Sequence, residues 1–288
     1  QNRLILSRSE TTMPAEFIGG VGALSQQAAL IAAGAAVIML AAAFAPERLR
    51  RLGHGLVLYS VGAGARTPDA AGKIDLAAVN DNEMARSVLT RYPKPAKWGK
   101  RVFDIVAALG LILFFAPLLL ATAIAIKLDS KGPVLYRQRR VGFRGEAFEI
   151  YKFRSMRTDA EKDGARWASK DDNRITRVGR FIRRTRIDEI PQAINILKGE
   201  MSFVGPRPER PEFVAVLEKA IPRYHERHLV KPGITGWAQV KHEYTATVDG
   251  ARDKLTYDLF YIRHFSLLLD FLIVLMTVRV AVLGIGSR

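Results

Sequence analysis

The chain has 288 residues, of which 25% are charged and 49% are hydrophobic, so its composition excludes both a disordered peptide and a wholly membrane-embedded bundle. It holds 44 Lys and Arg against 28 Asp and Glu, and the net charge of +16 favours an anionic partner such as a nucleotide, lipid headgroups or nucleic acid. No cysteine is present, which excludes disulfides, thiol nucleophiles and cysteine-ligated zinc.

An uncharged segment near the start of the chain predicts a transmembrane helix. Residues 17–45 carry no charge and include a stretch long enough to span a bilayer. The arginine-rich stretch 48–51 places the following end in the cytoplasm by the positive-inside tendency. A cleaved signal peptide is the alternative, because 43–45 has the small-x-small spacing of a cleavage site. We take 1–52 as the transmembrane segment and the Gly/Ala-rich 53–96 as a connector with one or two short helices.

A second uncharged segment has basic residues at both of its ends. Ile105–Ile126 is 22 residues long, about 33 Å as a helix, which is enough to cross the hydrocarbon core. The positive-inside tendency draws both ends to the same side, and Pro117 removes an amide donor and forces a kink. We therefore expect 97–131 to form a re-entrant helix, break and helix. A plain spanning helix with a tolerated proline is the alternative.

The remaining residues, 132–288, predict a membrane-associated α+β domain that is mostly α-helical with a small β-hairpin. Two short apolar runs separated by glycines, 134–136 and 148–153, predict the hairpin. The apolar segment 265–284 is interrupted by two charges, so we expect a helix that lies in the membrane interface or packs on the domain. Further helices are expected at 177–184, 191–197 and 212–226 and around 257–261.

Two adjacent acids, Asp188 and Glu189, follow a run of arginines at the expected start of a helix. Acids there commonly cap the helix and interact with its dipole, which gives a structural interpretation. In the catalytic interpretation, nearby guanidinium groups keep both acids ionised, so that one attacks phosphorus while the other holds Mg²⁺ or orients the reactants. The two residues alone leave this choice open.

Three further features are candidates for substrate contacts. Arg207, in the Gly-Pro-Arg-Pro turn 205–208, is a phosphate clamp or a solvated arginine. The segment 232–237 offers glycine backbone and the Trp237 indole for stacking on a base, or is an ordinary turn with a core tryptophan. Asp258 lies in an aromatic stretch, where a partly buried acid needs a cation or a metal.

Five ordered motifs over residues 97–288 resemble those of the bacterial monotopic polyprenyl-phosphate sugar-1-phosphate transferases. They are KRVFD at 100–104, YKFRSM at 151–156, IDE at 187–189, MSFVGPRP at 201–208 and PGITGWAQV at 232–240. The resemblance implies a catalytic domain on the cytoplasmic face of the bacterial inner membrane, carried by a re-entrant helix. It also implies Mg²⁺ dependence and an initiating step in exopolysaccharide or other surface-glycan synthesis.

The reaction that this resemblance implies transfers hexose 1-phosphate from a UDP-hexose to polyprenyl phosphate. Asp188 would attack the sugar-bearing phosphorus, expel UMP and hold a phosphosugar until the lipid collects it, while Glu189 helps to hold Mg²⁺. Asp258 would steady one of the cations that carry phosphate charge. Those cations are Lys152, Arg154 and Arg207, which would bind the donor. Lys100 and Arg101 would lie near the lipid phosphate.

Two positions depart from the family pattern. Ala116 precedes Pro117 where the family usually has serine, so the hydroxyl that could satisfy a freed backbone group is missing. Residues 241–243 replace the Asn-Gly-Arg of many members, so sugar or base contacts there are not carried over. Glucose or galactose is the hexose expected from the resemblance, and a homodimer is a further expectation.

The competing interpretation is a non-enzymatic basic membrane protein that binds anionic lipid or nucleic acid. A sequence pI near 10.3 would suit it. We expect no nucleic-acid partner, because aromatic residues are not interleaved with the basic run as stacking platforms would be.

Overall fold

The computed structural model describes residues 72–77, 79, 83–91, 94–160, 162, 172–242 and 247–283, all in the same compact unit of the chain. The helices of this part are α1 (Glu83–Arg91), α2 (Lys94–Asp129), α3 (Arg177–Arg184), α4 (Ala193–Lys198), α5 (Pro211–Ala220), α6 (Trp237–Lys241), α7 (Val248–His264) and α8 (Leu267–Leu283). Its strands are β1 (Leu135–Val141), β2 (Ala147–Phe153), β3 (Ser202–Val204) and β4 (Gly233–Thr235). Short 3₁₀ helices span Phe143–Gly145, Ile187–Gln192 and Tyr224–Leu229.

This architecture confirms the prediction of a mostly helical domain with a small β-hairpin. The hairpin pairs β1 and β2 antiparallel, with Leu135 opposite Phe153 and Val141 opposite Ala147. Arg144 and Gly145 turn the chain with positive φ angles of 57° and 81°. The transmembrane helix predicted within 1–52 lies outside the described residues.

Helix α2 runs for 36 residues without a non-helical residue, and Pro117 lies inside it. The predicted break between two helices is therefore corrected to one continuous helix. The cost of a mid-helix proline, about 3 kcal/mol, has not been enough to interrupt the helix. By length and composition, Lys97–Asp129 is apolar enough to cross a membrane. Re-entrant topology, which concerns how the helix sits in a bilayer, stays a prediction.

Both halves of α2 pack on the same domain. Near its start, Ala108 is fully buried in one apolar cluster with Ile196. Near its end, Ile126 is buried in another cluster with Ile182. Leu113, between them, is 73% exposed. One face of the helix therefore packs on the domain, while another presents apolar side chains away from it along the whole length, from Trp98 to Leu128.

A second sheet, which the sequence did not predict, joins the two glycine-containing loops. Strands β3 and β4 are parallel, with Ser202 opposite Gly233 and Val204 opposite Thr235. A Cβ on Gly233 would meet the backbone of Gly205 and Val204. These glycines therefore allow the two loops to pack backbone to backbone.

The main core surrounds α7, where Phe260 is fully buried. Trp237 stacks on Phe260 at 5.7 Å between ring centroids and donates its indole N–H to the Gly72 carbonyl at 2.9 Å. Since Trp237 is 2% exposed, the structure favours a core tryptophan over a platform for a base. Met84 of α1 is also fully buried, so the end of the predicted connector belongs to this core.

Two other helices follow the predictions in part. The helix expected over 212–226 ends at Ala220, and a 3₁₀ helix begins at Tyr224 after Pro222. Helix α8 turns Leu269 inward and leaves Phe271 exposed, which agrees with a helix packed on the domain.

Candidate active site

Three elements bring four of the predicted site residues together. Asp188 and Glu189 lie on the 3₁₀ helix, Lys152 comes from β2, and Arg207 comes from the turn after β3. Lys152 Nζ donates to Glu189 Oε1 at 3.0 Å. Arg207 donates through Nη1 to Glu189 Oε2 at 3.1 Å and through Nη2 to Oε1. Glu189 is therefore the anion around which the two cations are arranged.

The backbone before the acid pair explains how both acids come to face inward. Arg186 adopts a left-handed conformation, with φ 60° and ψ 11°, and so separates α3 from the 3₁₀ helix. A left-handed conformation costs an L-residue about 1–2 kcal/mol, so it needs support from the surrounding structure. Asp188 and Glu189 occupy the first turn that follows, and each is only 8% exposed.

The two acids differ in their surroundings. No hydrogen bond or ion pair among the described residues reaches the Asp188 carboxylate, whereas both oxygens of Glu189 accept from cations. Burial and the neighbouring Glu189 raise the pKa of Asp188 to about 6, against the pull of Lys152. Burial acts on Glu189 too, but Arg207 and Lys152 overcome it and hold its pKa well below the ordinary value. The ionised form of Asp188 is thus accessible near neutral pH, and no cation pairs with its carboxylate among the described residues.

A buried ion pair between Arg227 and Asp258 holds the backbone of the Arg207 turn. Arg227 and Asp258 are each 2% exposed and meet at 2.8 Å between Nη2 and Oδ2. The same Nη2 donates to the Arg207 carbonyl at 2.8 Å, and Nη1 donates to the Tyr224 hydroxyl at 2.9 Å. Asp258 thus steadies a cation, as predicted, but that cation is Arg227, which the sequence analysis missed. No motif marks Arg227, which lies 31 positions from Asp258.

Glu209, the second residue after Arg207, forms another link that the sequence analysis missed. Its carboxylate lies 2.6 Å from Lys254 Nζ and 3.6 Å from Arg140 Nη1. Burial of Glu209 is outweighed by Lys254, Arg227 and Arg140, which lower its pKa to about 2. Arg140 also donates to the Pro208 carbonyl at 3.1 Å. Glu209 directly follows the Gly-Pro-Arg-Pro motif, and this position is the sequence feature that could have identified it.

Lys100 does not face a lipid phosphate in this structure. It is 4% exposed, and its Nζ lies 3.2 Å from Asp104 Oδ1 and 2.8 Å from Asp270 Oδ2. Burial in contact with two acids leaves no room for a headgroup. The expectation that Lys100 binds lipid phosphate is therefore corrected to a structural role between α2 and α8.

Arg101 and Arg154 are also engaged within the protein. Arg101 donates to two carbonyls of the last turn of α4, at 2.6 and 2.8 Å, where a cation also suits the helix dipole. Arg154 donates to the carbonyls of Lys131 and Ser130 at 2.6 and 2.7 Å, next to the end of α2. Neither side chain joins the Glu189 group. Their observed contacts hold the last turn of α4 and the residues after α2, and their phosphate roles stay predictions.

The described residues do not form a ready metal site. None of them belongs to a group of three or more His, Cys, Asp or Glu side chains that could hold a metal ion. Glu189, the predicted Mg²⁺ ligand, has both oxygens occupied by Lys152 and Arg207. Asp188 offers one free carboxylate, which alone does not make a metal site. Glu189 therefore does not fit the ligand role predicted for it.

The sequence of this chain matches the model of a known protein family. The model of a family described as bacterial sugar transferase matches residues 95–284. That span agrees with the resemblance found over residues 97–288 and confirms it.

Individual relatives agree with the family match. The chain is 49% identical over 218 residues to a UDP-N-acetylgalactosamine-undecaprenyl-phosphate N-acetylgalactosaminephosphotransferase of Aeromonas hydrophila, covering 75% of this chain and 51% of that protein. It is 48% identical over 202 residues to an undecaprenyl-phosphate glucose phosphotransferase of Komagataeibacter xylinus, covering 67% of this chain and 38% of that protein. It is 45% identical over 185 residues to the exopolysaccharide production protein PSS of Rhizobium leguminosarum bv. phaseoli, covering 62% of this chain and 92% of that protein. The chain thus spans about half or less of the first two relatives.

Proposed function

Because this chain belongs to the bacterial sugar transferase family, we propose that it transfers a hexose 1-phosphate from a UDP-sugar to undecaprenyl phosphate and releases UMP. The names of the relatives support this substrate class, since they describe undecaprenyl-phosphate sugar phosphotransferases acting with different sugars. Such a step would begin exopolysaccharide or other surface-glycan synthesis. Which hexose is moved depends on a few hydroxyl contacts that none of the residues above identifies.

One observation carries the proposal: of two adjacent buried carboxylates, one is saturated by cations and the other is free. The saturated acid, Glu189, cannot attack without breaking its contacts with Lys152 and Arg207. Asp188 has no such contact among the described residues and is mostly ionised at neutral pH. An ionised, unpaired carboxylate in a basic setting is a suitable nucleophile for the electrophilic phosphorus of a diphosphate, because nearby cations offset the repulsion from the phosphate oxygens.

The proposed reaction has two steps. In the first, an Asp188 oxygen forms a bond to the sugar-bearing phosphorus, the bond from that phosphorus to the bridging oxygen breaks, and UMP leaves. In the second, an oxygen of undecaprenyl phosphate bonds to the same phosphorus and the Asp188 carboxylate is released. Lys152 and Arg207 balance the charges of Glu189 and of ionised Asp188, so this group does not repel the donor diphosphate. Arg183 and Arg186 add positive potential near Asp188.

Mg²⁺ dependence stays part of the proposal as a property of the complex with the donor. Magnesium in phosphate-handling enzymes is commonly held in part by substrate phosphates and water, so an ion that arrives with the donor would not need a preformed protein site. Removal of divalent ions by a chelator, followed by a UMP-release assay, tests this dependence directly.

We also propose that α2 is re-entrant, with the domain on the cytoplasmic face of the inner membrane. The packing of both its halves on one domain supports this, because a helix that spans a bilayer can contact a domain on one side only near one end. Both substrates would then be reached from one face. Single-cysteine variants Lys97→Cys and Lys131→Cys should both react with an impermeant reagent from the domain's side. Reaction from opposite sides would mean a spanning helix.

The covalent step is tested with UDP-hexose labelled in the sugar, without lipid acceptor. The unmodified protein should retain label after denaturation, and the Asp188→Asn variant should not. Glu189→Gln is the matched control, since it removes the neighbouring acid and leaves the proposed nucleophile. Label that persists in Asp188→Asn would refute the assignment. A panel of UDP-sugars scored by UMP release would then identify the hexose.

A further inference from the structure

Strand β1 carries a polar row, formed by Tyr136, Gln138 and Arg140, on the face of the hairpin that leads to the acid pair. These residues alternate along the strand and therefore point to the same side. Tyr136 lies directly opposite Lys152 of β2, so the two side chains share that side of the hairpin. Lys152 in turn donates to Glu189 Oε1 at 3.0 Å. One end of the polar row therefore lies next to the Glu189 group.

Hydrogen bonds join the polar row along its length. Arg140 donates to Gln138 Oε1 through Nε at 3.0 Å and through Nη2 at 2.6 Å. Gln138 Nε2 donates to the Tyr136 hydroxyl oxygen at 3.2 Å. At the other end, Arg140 Nη1 donates to the carbonyl of Pro208, in the Gly-Pro-Arg-Pro turn, at 3.1 Å. The row is thus fixed by the same turn that carries Arg207.

The order of these hydrogen bonds decides the direction of the Tyr136 hydroxyl proton. Arginine only donates, so Gln138 has to turn its oxygen toward Arg140 and its NH₂ group toward Tyr136. This NH₂ group cannot accept, so Tyr136 cannot donate its proton back to Gln138. The proton is therefore directed toward a different acceptor. Tyr136 is only partly buried, which allows a ligand to supply that acceptor.

We propose that Tyr136 donates a hydrogen bond to a hydroxyl group of the hexose in the UDP-sugar and is a specificity-determining residue. Gln138 and Arg140 are the positioning residues that hold its hydroxyl. The inference deepens the proposed function and rests on it. A site built to bond a substrate hydroxyl discriminates strongly against sugars that lack this group. The contact would therefore help to decide which hexose is transferred.

The order of the groups along the UDP-sugar supports the hexose as the part that meets Tyr136. Lys152 lowers the Asp188 pKa more than any other cation does, so it is the cation best placed for the phosphate that Asp188 would attack. That phosphate bears the sugar. Arg207 comes from another element and would then hold the phosphate of UMP. A side chain directly opposite Lys152 is therefore on the sugar side of the diphosphate.

The test removes the Tyr136 hydroxyl and keeps the ring, in the Tyr136→Phe variant of the full chain. UMP release with undecaprenyl phosphate gives kcat/KM for the UDP-hexose that the unmodified protein uses best, and for analogues of it that each lack one sugar hydroxyl. We expect Tyr136→Phe to lower kcat/KM for the complete sugar about 10-fold. For one analogue, the one without the contacted hydroxyl, the variant and the unmodified protein should be equal.

Tyr151→Phe is the matched control. Tyr151 is the neighbour of Lys152 in β2, so its side chain points to the other face of the hairpin, where its hydroxyl accepts from Lys198 Nζ at 2.7 Å. Its removal should leave the ratio of kcat/KM between the complete sugar and every analogue unchanged. Since each ratio compares two UDP-sugars within one variant, a lower folded fraction does not alter it.

The positioning role is tested with Gln138→Leu, which removes the amide between Arg140 and Tyr136. This variant should lose the same discrimination between the complete sugar and the one analogue. The double variant Gln138→Leu/Tyr136→Phe should lose no more than either single variant, which a general loss of structure would not produce. Additive losses would overturn the role of Gln138.

Two results would overturn the contact with the hexose in a protein that releases UMP. The first is equal kcat/KM of Tyr136→Phe and the unmodified protein for every UDP-sugar. The second is an equal loss for the complete sugar and all analogues, with weaker binding of UDP itself, because it would assign the hydroxyl to a phosphate oxygen. An unmodified protein that releases UMP from no UDP-hexose would instead refute the proposed function, and this contact with it.

Discussion

Two buried charge clusters lie close to strand β3, and they are built from the same residue types. In the cluster around Lys100, the ammonium meets Asp104 at 3.2 Å and Asp270 at 2.8 Å. Asp104 Oδ1 also accepts from the Ser202 hydroxyl at 2.9 Å. Asp270 Oδ1 accepts from the Tyr261 hydroxyl at 2.7 Å. Each carboxylate in this cluster has a partner within the protein, and Asp270 Oδ2 meets Lys100 as an ion pair without a hydrogen bond.

The cluster around Glu189 begins in the same way, with one carboxylate between Lys152 and Arg207. It differs because the adjacent Asp188 is buried without a partner among the described residues. A saturated cluster can only hold elements together, whereas a buried acid left free keeps its reactivity. The difference indicates that a reactive group is found where a buried acid lacks a partner, and the residue types alone do not reveal it.

The largest expected effect comes from removing the free acid. Asp188→Asn should reduce turnover by about 10⁴-fold, the scale seen when a member of a covalent catalytic group is lost. Its thermal stability should not fall, because the lost carboxylate has no partner. Single-turnover UMP release and thermal unfolding in detergent measure the two quantities. A large loss of stability would show that Asp188 is structural.

The saturated cluster should behave in the opposite way. Lys100→Met leaves two carboxylates buried without their cation and should lower the free energy of unfolding by about 3–5 kcal/mol. Activity per folded molecule should be kept, which is measured as turnover normalised to the folded fraction. A variant of normal stability that had lost its response to lipid phosphate would restore the role first predicted for Lys100.

An intermediate effect is expected from the ion pair between Arg227 and Asp258, which holds the Arg207 turn. Asp258→Asn removes the acceptor that orients Arg227 and should lower kcat/KM for the donor by about 100-fold through displacement of Arg207. A double-mutant cycle with Arg207→Ala separates positioning from general destabilisation. Strongly non-additive losses are expected. Additive losses would mean that Asp258 acts independently of Arg207.

The smallest effect is a shift in pH dependence. Attack requires ionised Asp188, so the rate of UMP release should fall as the pH falls through about 6. Glu189→Gln removes the negative neighbour that helps to raise the Asp188 pKa, and should move this acidic limb to lower pH. If the acidic limb of the pH profile did not move in Glu189→Gln, ionisation of Asp188 would not be the cause of the pH dependence.

The same titration has an opposite consequence for stability. The Asp188 pKa is raised in the folded state, so the folded protein binds more protons than the unfolded one between the ordinary value of 3.8 and about 6. Its contribution to stability therefore decreases as pH rises through that window, and Asp188→Asn should remove this decrease. Unfolding midpoints measured across the window check it.

Local sequence patterns predicted much of this molecule. Two short apolar runs separated by glycines predicted the hairpin, and helix α3 has the predicted bounds of Arg177 and Arg184. The acid pair and Arg207 were identified from short motifs, and the structure brings them together with Lys152.

Contacts between distant parts of the chain were beyond such patterns. The parallel pairing of β3 with β4 and the ion pair between Lys100 and Asp270 both join residues that are far apart in the sequence. Pro117 was expected to break α2 by a local rule, but packing of both halves of the helix on the domain accompanies a continuous helix. The local rule gives the free-energy cost of a proline inside a helix. It does not include the packing that offsets this cost.

The most direct test of the central claim uses stoichiometric enzyme and UDP-sugar without lipid acceptor, followed by rapid acid quench and mass mapping. The account predicts UMP release of up to one equivalent and a hexose phosphate adduct on the peptide that contains Asp188. UMP release that requires the lipid, with no adduct on that peptide, would contradict it.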